Sequence, residues 1–202
     1  RQRQMCIRDR LIIVTAAVSI VCFNKYQLFE HLSLKPYRVV QHQEWWRIIT
    51  HGFVHADWIH LLVNMFTFWS FGGYIETAFE YLGFGKWAFL TLYFGGMIAA
   101  SISDIIRYRN AEWYTSIGAS GAVSAVLFAA IFLNPWDKIL LFAIIPIPGI
   151  LFGVLYLAYC QYMARQGGDN INHNAHFYGA VFGFVFPILL KPRLFQMFLS
   201  HF

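Results

Sequence analysis

Apolar runs separated by short polar breaks set the reading of this chain. Leu11 to about Phe29, Asp57 to Tyr74, Lys86 to Ile106, Ser120 to about Leu133, Gly149 to Met163 and His173 to Leu190 are each mostly apolar. Runs of about 20 apolar residues cross a bilayer as helices, so six spans are predicted. Gly72-Gly73 reads as the end of the second, with Glu76 and Glu80 in a polar connection. Residues 30–54 are polar yet carry Tyr37, Trp45, Trp46 and Phe53. Trp and Tyr favour the membrane interface, and irregular backbone at membrane depth must be buried in protein. That loop is therefore expected to lie partly in the membrane, against the bundle. Pro146 and Pro148 interrupt the apolar stretch Ile139 to Cys160, so its first part, Ile139 to Ile147, is expected to be interfacial or partly buried rather than a span.

Three segments follow: a basic N-terminal stretch 1–10, read as truncated or carrying non-native residues; a six-span core 11–190; and a tail 191–202 behind the stop signals Lys191 and Arg193. Asn24-Lys25-Tyr26-Gln27 after the first apolar run offers no small-residue cleavage site, so that run is read as a span and not a signal peptide. Both termini then lie on one side, and the basic residues weakly favour the inside for it.

Composition agrees with the pattern. The 202 residues are 58% hydrophobic and only 12% charged, against about 25% charged in soluble domains. The net charge of +5 is spread over termini and loops. It suits a membrane surface, and no basic face or aromatic–basic array points to nucleic acid. Cys6, Cys22 and Cys160 have no metal-ligand spacing and imply no disulfide framework.

The candidate chemistry lies in three runs of the same direction. Each carries its unusual polar groups near its N-terminal end: His60 and Asn64 in the second, Ser120 in the fourth and His176 in the sixth. All should share one depth, on the face opposite the termini. Ionisable groups there are costly and default to function. Ser120 sits in a small-residue segment with Gly118 and Gly121, where a helix start offers unpaired N–H groups. His176, Gly179, Ala180 and Gly183 share one small face of the sixth run. Two small faces can pack closely, which would bring imidazole to hydroxyl as a Ser–His pair. No Asp or Glu is placed to orient His176, so a dyad is expected; Asp169 is a weaker third member. His60 and Asn64 have donors suited to an oxyanion hole beside the Ser120 N–H.

At this point the chain resembles the rhomboid intramembrane serine proteases. The matching residues are Trp46-Arg47, His60-Leu61-Leu62-Val63-Asn64-Met65, Gly118-Ala119-Ser120-Gly121, and the run from Ala175-His176 to Phe182-Gly183. The resemblance implies an all-α, six-transmembrane-helix bundle with a partly embedded first loop. It implies Ser120 as nucleophile, His176 as general base and acid, and His60, Asn64 and the Ser120 N–H as oxyanion hole. Trp46 and Arg47 would hold the first loop, Glu76 would be structural, and the fifth span and last loop would admit substrate sideways. No cofactor or metal is implied, and the partners would be membrane-protein substrates in the lipid bilayer. One departure stands out: some relatives have Tyr four residues after the nucleophile, stacked on the histidine, where this chain has Ser124.

Other readings remain beside it. His60 and Asn64 could be structural interhelical donors. His51, His55 and His173 with His60 and His176 suggest a metal site, but no Cys or carboxylate completes a zinc set; loop anchoring or the lining of a water pocket suits His51 and His55 better. A transporter, or an inactive relative that binds membrane clients, is the non-enzymatic alternative. A core without extra domains suits a bacterial cytoplasmic membrane.

Overall fold

The computed structural model describes residues 6–141, 144–169 and 171–202. The helices are α1 (Ile7–Asn24), α2 (Tyr26–Leu32), α3 (Pro36–Gln41), α4 (Arg47–Thr50), α5 (Trp58–Tyr81), α6 (Gly85–Tyr108), α7 (Ser120–Leu133), α8 (Gly149–Gln166), α9 (His173–Leu190) and α10 (Arg193–Leu199). A two-stranded antiparallel hairpin, β1 (Lys138–Leu141) and β2 (Ile145–Pro148), interrupts them, pairing Lys138 with Pro148 and Leu141 with Ile145.

The middle of the molecule is α7. It is apolar all round, and every residue from Gly121 to Leu133 is buried, as expected of a helix enclosed by others. Helices α5, α6, α8 and α9 pack around it. By contrast α5 is two-faced in an inverted sense. Leu61, Met65, Phe68, Gly72, Ile75 and Phe79 face the core, while Ile59, Leu62, Val63, Phe66 and Trp69 stand in the open. All seven tryptophans are exposed too. A water-soluble protein does not display so much apolar surface; a lipid-facing one must. Helices α6 and α9 are each long and apolar enough to cross a membrane. The chain is an all-α membrane protein apart from the small hairpin.

Small residues set the spacing of the central helices. A Cβ on Gly179 would run into the Gly121 carbonyl oxygen, and one on Gly183 into the Ala125 carbonyl oxygen, so α9 rests on the backbone of α7. Gly96 of α6 meets the Ala125 Cβ in the same way, and Gly121 meets the Ala100 Cβ.

Several expected boundaries move. The first helix starts at Ile7 rather than Leu11, because Glu76 accepts its leading N–H (Ile7 N to Oε1, 2.8 Å). It ends at Asn24, and the polar residues that weakened the run separate it from α2. Helix α5 does not stop at Gly72-Gly73; it continues to Tyr81 and includes Glu76. The glycines make room for Arg8, whose side chain lies where their Cβ atoms would be, and its Nη1 donates to the Trp69 carbonyl at 3.3 Å. The stretch read as a loop, 30–54, is mostly short helices and turns. The described residues of the stretch Ile139 to Ile147 belong to the hairpin: Pro146 and Pro148 lie on its second strand, and among the described residues the pair has no further neighbour, so a missing N–H is tolerated. Residues 191–202 pack as well as trail. Leu194 is buried, and Phe198 of α10 stacks on Phe132 of α7 at 5.1 Å.

The contrast between backbone and side-chain contacts gives a prediction. Gly183→Ala and Gly179→Ala force a methyl into backbone, which cannot yield, and should cost about 1–3 kcal/mol or more. Gly95→Ala meets only the Phe182 ring and should cost less. Thermal unfolding in detergent checks this; equal melting temperatures for the three variants would contradict it.

Candidate active site

The segment before α7 is held from several directions. Leu34 and Ser116 exchange backbone hydrogen bonds (Leu34 N–H to Ser116 O, 3.0 Å; Ser116 N–H to Leu34 O, 2.9 Å). The Gly118 N–H donates to the His51 carbonyl at 3.0 Å. The Ala119 N–H donates to His55 Nε2 at 3.4 Å, and His55 Nδ1 lies 2.9 Å from Ser19 Oγ of α1. Because Nε2 accepts, Nδ1 carries the hydrogen and donates to Ser19, whose hydroxyl donates onward to the Phe53 carbonyl. His51 Nε2 in turn reaches Ser101 Oγ of α6 at 3.2 Å. Two buried histidines thus fix the approach to Ser120.

The loop that supplies them hangs on buried Arg47. Its Nη1 donates to the Glu30 and Ser33 carbonyls, both at 2.7 Å, and its Nε to Glu44 at 2.5 Å. Arg38 forks onto the same carboxylate. Arg38, and then Arg47, hold the Glu44 carboxyl down at about 2. Trp46 is exposed beside His31, with rings 5.8 Å apart.

Gly118 has φ +104°, a region that favours glycine. A Cβ there would lie 2.7 Å from His60 Cε1 and 2.8 Å from Nε2. The glycine therefore lets the His60 ring lie directly against the segment entering Ser120. His60 is the third residue of α5, after the N-cap Asp57, whose carboxylate accepts the His60 N–H at 2.8 Å. A long 3.4 Å contact from the Ala56 N–H to His60 Nδ1 favours the tautomer with hydrogen on Nε2, the atom facing Gly118. Asn64 is buried one turn on and spends one amide hydrogen on the His60 carbonyl at 2.9 Å. Its second amide hydrogen is uncommitted among the described residues.

Ser120 is the first residue of α7 and half-buried. Among the described residues its N–H has no acceptor, as helix geometry dictates at such a start. His176 is the fourth residue of α9, and Gly121 and Gly179 touch one turn or less from the two side chains. Ser120 and His176 thus flank one helix contact, yet no hydrogen bond joins the hydroxyl to the imidazole here. A cavity of about 20 Å³, room for one water, lies next to Ser120 and is lined by His51, Ser101, Asp104 and Asn172 among others.

Asp169, the weaker third member, is not at His176. It accepts from His173 Nε2 at 3.0 Å, and that bond holds the Asp169 carboxyl below its ordinary range. His173 then presents an edge to His176, with centroids 6.2 Å apart. Glu76 lies at the other end of α5, at the start of α1.

Three neighbours escaped the reading of the sequence. Asn172 caps α9 through the Ala175 N–H (3.0 Å) and donates to buried Asp104 (2.5 Å) and to Ser116 Oγ (3.0 Å). An Asn directly before an apolar run is a helix-start signal that could have exposed it. Asp104 lay inside a predicted span, and no spacing linked it to Asn172. Tyr156 of α8 lies parallel to His176 and hydrogen-bonds Ser124 at 3.0 Å, so Ser124 has a partner of its own.

Comparison with known proteins identifies the family. The model of the Rhomboid domain matches residues 42–193. RHOMBOID-like protein 12, mitochondrial, of Arabidopsis thaliana is 30% identical over 148 residues, 66% of this chain and 43% of that protein. Rhomboid-like protein 11, chloroplastic, of the same plant is 32% identical over 162 residues, 73% of this chain and 53% of that protein. The putative rhomboid protease YdcA of Bacillus subtilis is 30% identical over 158 residues, 76% of this chain and 71% of that protein. The chain belongs to the rhomboid family and is an integral membrane protein. It spans about half the length of the two plant relatives.

Burial pushes His51 down to about 4 and His55 down to about 3. Both are neutral when folded and would take up a proton on unfolding below their ordinary value of 6.5. The unfolded state then binds more protons, so stability falls as pH drops from about 6.5 toward 4, by up to about 1.4 kcal/mol per pH unit for each histidine. The Glu44 contribution is lost only below about 4.5. Melting temperature in detergent should therefore fall between pH 6.5 and 5, and less steeply in His55→Asn. A flat profile over that interval would contradict the assignment.

Proposed function

We propose that this chain is an intramembrane serine endopeptidase that cuts membrane-anchored proteins with a Ser120–His176 dyad. The observation that carries the reading is the backbone contact of Gly121 with Gly179, which sets Ser120 and His176 on either side of one helix crossing. The length of α7 supports it. Fourteen residues rise roughly 21 Å, short of a hydrocarbon core of about 30 Å. With its polar C-terminal neighbours Asn134 and Asp137 at one interface, Ser120 begins well inside the membrane.

In this reading α1, α5, α6, α7, α8 and α9 are six spans, 11–190 is the catalytic core, and both termini share one side. Ser120 Oγ attacks the scissile carbonyl carbon as His176 takes the hydroxyl proton. The tetrahedral oxyanion receives hydrogen bonds from the Ser120 N–H, His60 Nε2 and the free Asn64 amide hydrogen. His176 returns the proton to the leaving amine, the C–N bond breaks, and an acyl group remains on Ser120. Water, with His176 again as base, releases the acid. A Ser–His hydrogen bond absent from a resting site can form when substrate binds. Trp46, Arg47, Glu76, Gly118, Gly121, Gly179 and Gly183 act by holding the scaffold.

A helical substrate hides its carbonyls in backbone hydrogen bonds. Preferred substrates therefore carry helix-weakening residues, with cleavage after a small residue. The site would open on the face opposite the termini, in a bacterial cytoplasmic membrane.

Fluorophosphonate labelling of purified protein tests the reading. Wild type should label, Ser120→Ala and His176→Ala should not, and Asn64→Ala should label about a hundredfold more slowly. A folded wild type that resists two such probes, while a control protease labels, would contradict it and favour a client-binding protein or a transporter.

A further inference from the structure

The imidazole of His176 has to be aimed at Ser120, and no carboxylate does this. Asp169 is engaged by His173, and among the described residues the His176 ring nitrogens have no hydrogen-bond partner. What lies against the ring is another ring. Tyr156 of α8 is parallel to it within 4°, with centroids 6.3 Å apart, an offset stack. The Tyr156 ring is itself fixed. Phe152 stacks on it at 5.7 Å and Phe128 of α7 tilts against it at 5.6 Å. Its hydroxyl is tied at 3.0 Å to Ser124 Oγ, a buried position one turn after Ser120 on the central helix.

We propose that Tyr156, anchored through Ser124, is the positioning residue that sets the plane of the His176 imidazole. The inference rests on the dyad reading above and adds the device that orients its base. The route is short: α7 presents Ser120 and, a turn later, the Ser124 hydroxyl; Ser124 fixes the Tyr156 hydroxyl; the Tyr156 ring limits rotation of His176. Nucleophile and base are thereby referenced to the same helix. The link also makes the orientation of His176 depend on α8 being seated. Helix α8 buries only Gly149, Gly153 and Cys160, so Tyr156 is one of its main ties to the core.

The test measures fluorophosphonate labelling rates per active site, with end-point labelling counting the competent fraction. Tyr156→Leu removes the ring and should slow labelling per site about tenfold or more, as small misplacements of a catalytic base do, and should shift the pH–rate profile. A purely structural loss would lower the melting temperature and the competent fraction but leave rate per site and profile unchanged, and that result overturns the proposal. If Tyr156→Leu does not fold, Tyr156→Phe and Ser124→Ala decide. Each cuts the same bond, so both should slow labelling by the same factor, and the double variant should be no slower than either. No effect, or effects that add, overturns the anchor. A wild type that does not label removes the dyad reading and this proposal with it, whereas a labelled wild type with indifferent Tyr156 and Ser124 variants removes this proposal alone.

Discussion

The rest of the structure depends on the backbone contact between α7 and α9. Gly179 lies on the Gly121 carbonyl and Gly183 on the Ala125 carbonyl, so at these two points no side chain separates the helices. In a bilayer, lipid tails are as apolar as leucine, and close packing takes the place that water exclusion holds in soluble cores. The same contact fixes how near the N-terminal turns of the two helices can come. In the proposed reading, stability and the pairing of Ser120 with His176 therefore have one source. This is why the central helix is made of alanine, glycine, serine and valine in its first turns and of larger residues only below them.

A second constraint acts on the segment entering α7. A helix start leaves its N–H groups unpaired; under the proposed mechanism the Ser120 N–H has to stay so, while its neighbours find partners. The chain satisfies Gly118 with the His51 carbonyl and Ala119 with His55, and pins Ser116 to Leu34. Arg47 and Glu44 hold the loop that delivers these partners. Buried neutral histidines and a buried arginine salt bridge are costly ways to hold a loop. They make sense where the loop must present polar groups at depth without water.

Much of the helical frame was legible from hydropathy alone. The limits of α7 and α9, Ser120–Leu133 and His173–Leu190, coincide with the apolar runs because small or polar residues mark their starts and Asn134 and Lys191 their ends. The second run was cut short because Gly72-Gly73 reads as a stop, whereas the glycines accommodate Arg8 from a helix sixty residues earlier. Long-range packing of that kind leaves no local trace. The hairpin was missed for a related reason: two prolines mark a break but not what replaces the helix. At the site, His60, Asn64, Ser120 and His176 stood out because polar groups in apolar runs are few. Tyr156 did not, because one tyrosine among eleven carries no mark of the ring it will face. The pairing of Asn172 with Asp104 was hidden because one caps α9 and the other lies within α6, with no shared period.

The most direct test of the account is a crystal structure of the protein carrying a phosphonate adduct. The account predicts phosphorus bonded to Ser120 Oγ, the phosphonyl oxygen within hydrogen-bond distance of the Ser120 N–H, His60 and Asn64, and the His176 imidazole facing the adduct. A phosphonate on another side chain, or on Ser120 with its oxygen pointing away from all three donors, would contradict it.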